Sequence, residues 1–102
     1  MTWGIGTDAN PRDGDRVTFT VEVLDGRVRV RQTTLDACPA ARRAAESLVR
    51  LVNGGTPEAA ARIQVRELID RLRLDADAER CALTALTALR AALVDVHVRL
   101  LA

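Results

Sequence analysis

The sequence predicts an α+β domain: a small antiparallel sheet of about three strands, covered on one face by four or so helices. Three observations predict it. Residues 16–23 alternate polar and apolar with a period of two. Asp25-Gly26 then joins this run to a second alternating one. Everything after Cys38 carries apolar residues at helical spacing, interrupted by helix stops and starts. Strands first and helices afterwards give helices packed on one sheet face. With 102 residues, the chain is long enough for one domain and too short for two.

The first dozen residues hold Gly4, Gly6, Asp8, Asn10 and Pro11 without any period. They predict a loosely docked arm over residues 1–14, ahead of a single domain over residues 15–102. Within the arm only Thr2–Gly6 suggests an added edge strand. From Arg16, Val17, Phe19, Val21 and Val23 point one way, while Arg16, Thr18, Thr20 and Glu22 point the other. Asp25-Gly26 tolerates the positive φ of a two-residue hairpin turn. The return strand runs from Arg27 to about Thr33, with Val28 and Val30 inward and Arg27, Arg29 and Arg31 outward. A lone hairpin is marginal in water, so other elements must cover its apolar face.

Pro39 suits a first helical position, where its missing N–H costs nothing. The helix it opens extends to Val52 and buries Ala41, Ala44, Ala45, Leu48, Val49 and Val52. Asn53-Gly54-Gly55 stops it. Thr56-Pro57-Glu58 starts a short helix to about Ile63, with Thr56 as its cap. A further short helix spans about Val65 to Leu72, with Leu68, Ile69 and Leu72 facing in. The last runs from about Ala78 to Leu100, capped by Asp75 or Asp77. Its expected stripe is Leu83, Leu86, Leu89, Leu93, Val96 and Leu100.

Composition excludes several function classes. The formal charge is +1, all 15 basic residues are arginine, and the only aromatic rings besides His97 are Trp3 and Phe19. A nucleic-acid binder needs a basic face and stacking rings, so none is expected. No stretch approaches the roughly 20 apolar residues that cross a bilayer, so no membrane is expected. The polar N-terminus carries no leader pattern, which points to the cytoplasm. There, two cysteines 43 positions apart read as free thiols; a single bridge is the alternative. One serine, Ser47, and one histidine leave little for a hydrolase triad, so no enzyme is expected.

Three features could carry chemistry. Cys38 lies just before Pro39, at the positive end of a helix, where a thiolate is favoured; it could equally be a small apolar residue at a corner. Cys81 falls in the first turn of the last helix and attracts the same argument. If the two helix ends meet, the thiols could hold a soft cation such as zinc or iron, although a stable site needs about four ligands. Asp13-Gly14-Asp15 places two carboxylates just before the first long strand; they could add oxygen ligands, or form an ordinary polar turn. His97 reads as a half-buried structural residue. Arg27, Arg29 and Arg31 read as a solvated face, or as a docking patch for an acidic partner. Gly54-Gly55-Thr56 lacks the ending of a phosphate loop.

In order, these motifs resemble the iron–sulfur scaffold family that includes IscU, the N-terminal domain of NifU, and SufU. Asn10-Pro11-Arg12-Asp13-Gly14-Asp15-Arg16 is similar to the family's Asn-Pro-x-Cys-Gly-Asp-Arg stretch. Ala37-Cys38-Pro39 matches its Gly-Cys corner, and Arg80-Cys81-Ala82 its last cysteine. Asn53-Gly54-Gly55-Thr56-Pro57-Glu58-Ala59-Ala60 stands where the family has its glycine-rich start to the next helix. The likeness covers about Asn10 to Val96 and implies a SufE/NifU-like sheet with helices packed on it. It implies that Cys38, Cys81 and Asp15 match three of the four groups that bind zinc or a nascent [2Fe–2S] cluster. It also implies sulfur supplied by a cysteine desulfurase, hand-over to an acceptor protein, and a monomer or homodimer.

This sequence departs from the family pattern in several places. Asp13 stands at the first family cysteine, and Arg80 at the histidine of IscU-type members. The residues after Cys38 are bulkier than the family's small run, and Leu72 to Cys81 is too short for the SufU-type insertion. The expected function is therefore a divergent scaffold or sulfur relay, with zinc, a [2Fe–2S] cluster or nothing on Cys38, Cys81, Asp15 and Asp13. The alternative is a scaffold-fold interaction module with a decayed site, acting as a small subunit or regulator.

Overall fold

The computed structural model describes residues 1–101. It contains β1 (Thr2–Asn10), β2 (Asp15–Leu24), β3 (Arg27–Asp36), α1 (Pro39–Val52), α2 (Pro57–Ala61), α3 (Val65–Leu72) and α4 (Glu79–Leu101), with a 3-10 turn at Ala76–Ala78 leading into α4. The strands form one antiparallel sheet in the order β1-β2-β3. The fold is the α+β arrangement that the sequence predicts.

In β2 the alternation holds: Val17, Phe19 and Val21 are fully buried, and Asp15 shares their face. The turn behind it has positive φ at both Asp25 and Gly26, as the residue pair demands. β3 is longer than predicted because it contains a bulge. Val30 faces Val21 but Gln32 faces Thr20, so Arg31 is an extra residue. The slip turns Thr33 and Leu35 inward, where strict alternation would have pointed Gln32 and Thr34. Arg31 reaches the buried Glu22 carboxylate at 3.3 Å.

The Asn53-Gly54-Gly55 stop has a second role. Val28 donates its N–H to Gly55 O at 2.8 Å, Gly54 N–H returns a bond to Val28 O at 2.8 Å, and Val30 N–H reaches Asn53 Oδ1 at 2.7 Å. The loop thus covers half of an otherwise bare sheet edge. Thr56 caps α2 by accepting from Ala59 N–H, Gln64 and Glu67 form a capping box on α3, and Asp75 caps the 3-10 turn.

The predicted arm is the main correction. Residues 2–10 pair along their whole length with β2, and β1 makes a closer partner for α4 than any other element does. Gly4 and Gly6 lie on its inward face at register positions opposite Val21 and Phe19. By sequence they are loop signals; in the structure they are there because α4 lies directly on the strand. A Cβ on Gly4 would sit 2.6 Å from Val96 N and 2.8 Å from Ala92 O. A Cβ on Gly6 would collide with the backbone of Ala88, Ala91 and Ala92. The facing side of α4 is correspondingly small, with Ala85, Ala88 and Ala92 fully buried.

This approach also rotates α4 away from the predicted stripe. Leu86, Leu89 and Val96 are buried, but Leu83 and Leu100 are about half exposed. His97 is exposed rather than half-buried. Contrary to the expectation that no stretch is apolar and long enough to cross a membrane, α4 with its 3-10 turn forms a 26-residue helix that meets that measure by length and composition. Its most apolar window is 56% buried within the fold, as in a core helix.

Replacing Gly6 with alanine should destabilise the domain by about 3 kcal/mol or more, because the obstruction is helix backbone and cannot rotate away. The exposed Thr34→Ala change should stay within about 0.5 kcal/mol. Urea unfolding of the two variants checks the contrast.

Candidate metal centre

Three elements deliver the site. Asp15 opens β2, and the strand's parity turns its side chain inward, leaving it 2% exposed. Cys38 is the N-cap of α1, held in an extended backbone conformation between β3 and the helix. Cys81 is the third residue of α4 and only 4% exposed. The helix heads and the strand end do converge. One ligand atom from each of Asp15, Cys38 and Cys81 lies within 4.8 Å of the other two.

Hydrogen bonds fix this geometry. Asp15 Oδ1 accepts the Cys38 backbone N–H at 2.7 Å, a donor that the first turn of α1 leaves unpaired. The Cys38 thiol faces Asp15 Oδ2 at 3.6 Å, and the two sulfurs are 3.2 Å apart. Both cysteines are free thiols. Asp13 stands at the rim: its Oδ2 is 3.9 Å from Cys81 Sγ and accepts from the buried Asn10 side chain at 2.6 Å. Gly14 makes the turn between the two carboxylates, with φ +74.

The electrostatics are unbalanced in a telling way. Among the described residues, no basic side chain forms an ion pair with Asp15. A carboxylate this deeply buried normally has a cationic partner or binds a metal. Burial pushes the Cys81 thiol far above its ordinary 9.0, and the Cys38 hydrogen bond and Asp15 push it further. Desolvation, the Cys38 hydrogen bond and the Asp15 carboxylate thus oppose the thiolate that the helix end favours at Cys81. A bound dication reverses that balance, because a coordinating thiol loses its proton.

The donor set fits such a cation. Two ligands at Zn–S distances of about 2.3 Å in tetrahedral geometry place their sulfurs about 3.7 Å apart. The observed separation of 3.2 Å needs only a small opening of the pair. Two sulfurs and one oxygen leave a fourth position for Asp13, solvent or a partner's ligand.

The remaining candidates lie elsewhere. His97 is 16 positions along α4 from Cys81, about 24 Å up the helix. Arg27, Arg29 and Arg31 are exposed on β3. Two features were missed in the sequence. Asn10 anchors Asp13, and its even-numbered parity with Gly4 and Gly6 was the available signal. A cavity of about 630 Å³ opens beside the site, lined by Arg12, Asp13, Ile69, Arg80 and Leu83 among others. Leu83 was assigned to the core, although it falls off the Ala82, Ala85, Leu86 and Leu89 face.

A three-stranded antiparallel sheet with helices packed on it, and at one end a thiol–carboxylate cluster close enough to bind a metal, defines the class of α+β domain. The family comparison gives that class its name: the model of the NifU-like N terminal domain matches residues 2–101, and the chain belongs to that family, which is associated with iron–sulfur clusters. No match was found among curated proteins.

The raised Cys81 pKa makes a pH prediction. In the unfolded chain this thiol loses its proton around 9.0; in the folded, metal-free protein it keeps it. The stability it contributes is therefore complete below 9.0 and lost as pH rises beyond it. With no lysine or tyrosine in the chain, few other groups titrate there. Thermal unfolding of the metal-free protein should show a stability decline above this pH, and Cys81→Ser should flatten it.

Proposed function

We propose that this protein is a divergent scaffold or sulfur relay of iron–sulfur assembly, carrying metal or sulfur on Cys38 and Cys81 with the help of Asp15. The observation that carries the reading is the approach of one carboxylate and two thiols to within 4.8 Å of each other, in a chain of this family. Zinc or a [2Fe–2S] cluster is the cargo. Asp13 is the fourth ligand, standing where the family has a cysteine. When bound, the metal supplies positive charge that stabilises two thiolates.

The chain's own residues set how that cargo is held. Asp15 uses one oxygen to fix the backbone of Cys38 and leaves the other facing the sulfurs. Cys81 is anchored in a packed helix, whereas Cys38 sits on a loop-to-helix corner and is partly exposed. A hand-over therefore begins at Cys38. Iron–sulfur clusters prefer thiolate ligands, so a site with at most two thiolates from the chain favours release over storage. The partners that suit this role are a cysteine desulfurase and a cluster acceptor, and the chain acts as a carrier rather than an enzyme. Two free thiols suit a reducing, cytoplasmic compartment.

Protein purified without oxygen should contain about one metal per chain, lost in both Cys38→Ser and Cys81→Ser. Metal-free protein that refuses zinc at micromolar concentration would overturn the reading and leave an interaction module with a decayed site. Asp13→Cys should hold a reconstituted cluster at least several-fold longer than the natural chain, followed by its visible absorbance.

A further inference from the structure

We infer that Cys38 and Cys81, when no metal separates them, form a reversible intramolecular disulfide with hydrogen peroxide. The couple is a property of the metal-free chain, so it does not depend on the function proposed above. Four observations on different parts of the site support it.

The sulfurs are already 3.2 Å apart, and a disulfide requires about 2.05 Å. Closing that gap needs movement on one side only. Cys81 belongs to a packed helix, but Cys38 follows an irregular residue, Ala37, and precedes the first turn of α1. The required shift of about 1 Å falls on this corner. Access is also unequal: Cys38 is partly exposed while Cys81 is buried, so an oxidant from solvent meets Cys38 first. Finally, burial limits the oxidant: with Cys81 4% exposed, the pair admits a small peroxide more readily than a bulky disulfide.

The chemistry balances. The Cys38 sulfur attacks one peroxide oxygen, the O–O bond breaks, and a sulfenic acid and one water result. The Cys81 thiol then gives its proton to the sulfenic hydroxyl as its sulfur attacks the Cys38 sulfur, the S–O bond breaks, and the second water leaves. Two thiols are oxidised by two electrons, and one peroxide is reduced to two waters. The immediate neighbour outcompetes external thiols because Cys81 is 4% exposed and already in contact. The product ties α1 to α4 across 43 positions of sequence and consumes both sulfurs that a metal would need. Oxidation and metal loading thus exclude one another.

The test treats reduced, metal-free protein with hydrogen peroxide and follows intact mass and alkylatable thiols. The expected product is monomeric, lighter by two hydrogens, and without free thiols. Dithiothreitol should restore it, and its Tm should be higher by roughly 10 °C. Cys81→Ser should instead accumulate added oxygen on Cys38, and Cys38→Ser should react at least tenfold more slowly. A natural chain that gains oxygen on Cys38 while Cys81 stays alkylatable, or that forms only covalent dimers, overturns the inference. An equimolar zinc arm separates this proposal from the metal reading: zinc should slow the reaction, and an unchanged rate counts against the metal site alone.

Discussion

Backbone-to-backbone contact between β1 and α4 is the constraint on which the rest depends. Gly4 and Gly6 remove the side chains that would hold the helix away, and Ala88 and Ala92 do the same from the other side. A helix seated this closely cannot slide without losing its fit, so its vertical position is fixed. That position sets where its first turn ends up, and Cys81 with it. The same close seating presents Asp95 to the free edge of β1, where it accepts the Ile5 N–H at 2.9 Å. This bond, with support from Arg99, holds the Asp95 carboxyl below its ordinary range. Arg99 in turn stacks over Trp3 at 4.2 Å.

The sheet contributes the other half of the site through parity. Burying Val17, Phe19 and Val21 obliges Asp15 to point the same way. A carboxylate is thereby carried beneath the helices by the same alternation that builds the core. The Arg31 bulge restores an inward Leu35 just before the chain turns towards Cys38. Local packing decisions, each ordinary, thus converge on a cluster of acidic and sulfur groups in which, among the described residues, no basic side chain forms an ion pair.

Much of this was legible beforehand, for identifiable reasons. The β2–β3 hairpin and α1 to α3 carry strong periodicity, together with turn, cap and stop residues that agree with it, and all are present, with β3 extended past its bulge. Cys38, Cys81 and the Asp13–Asp15 turn could be suspected from helix ends and motif order, and they do lie together. What escaped was whatever depended on a distant partner. A strand that uses glycine on its buried face shows no apolar alternation, so only Thr2–Gly6 of β1 suggests a strand and the rest of it reads as an arm. The α4 stripe was drawn through leucines, when the close contact selects alanines. The protonation of Cys81 depends on burial and on Asp15, neither of which helix position alone reveals.

The pairing of β1 with α4 joins the first and last elements of the domain. During synthesis, therefore, the opening strand has no lid until the final helix has left the ribosome. The sulfur of Cys81 arrives with that helix, so a nascent chain cannot assemble the ligand cluster early and capture a stray ion on the way. Completion of the domain and assembly of this cluster become a single event, a timing control written into chain topology.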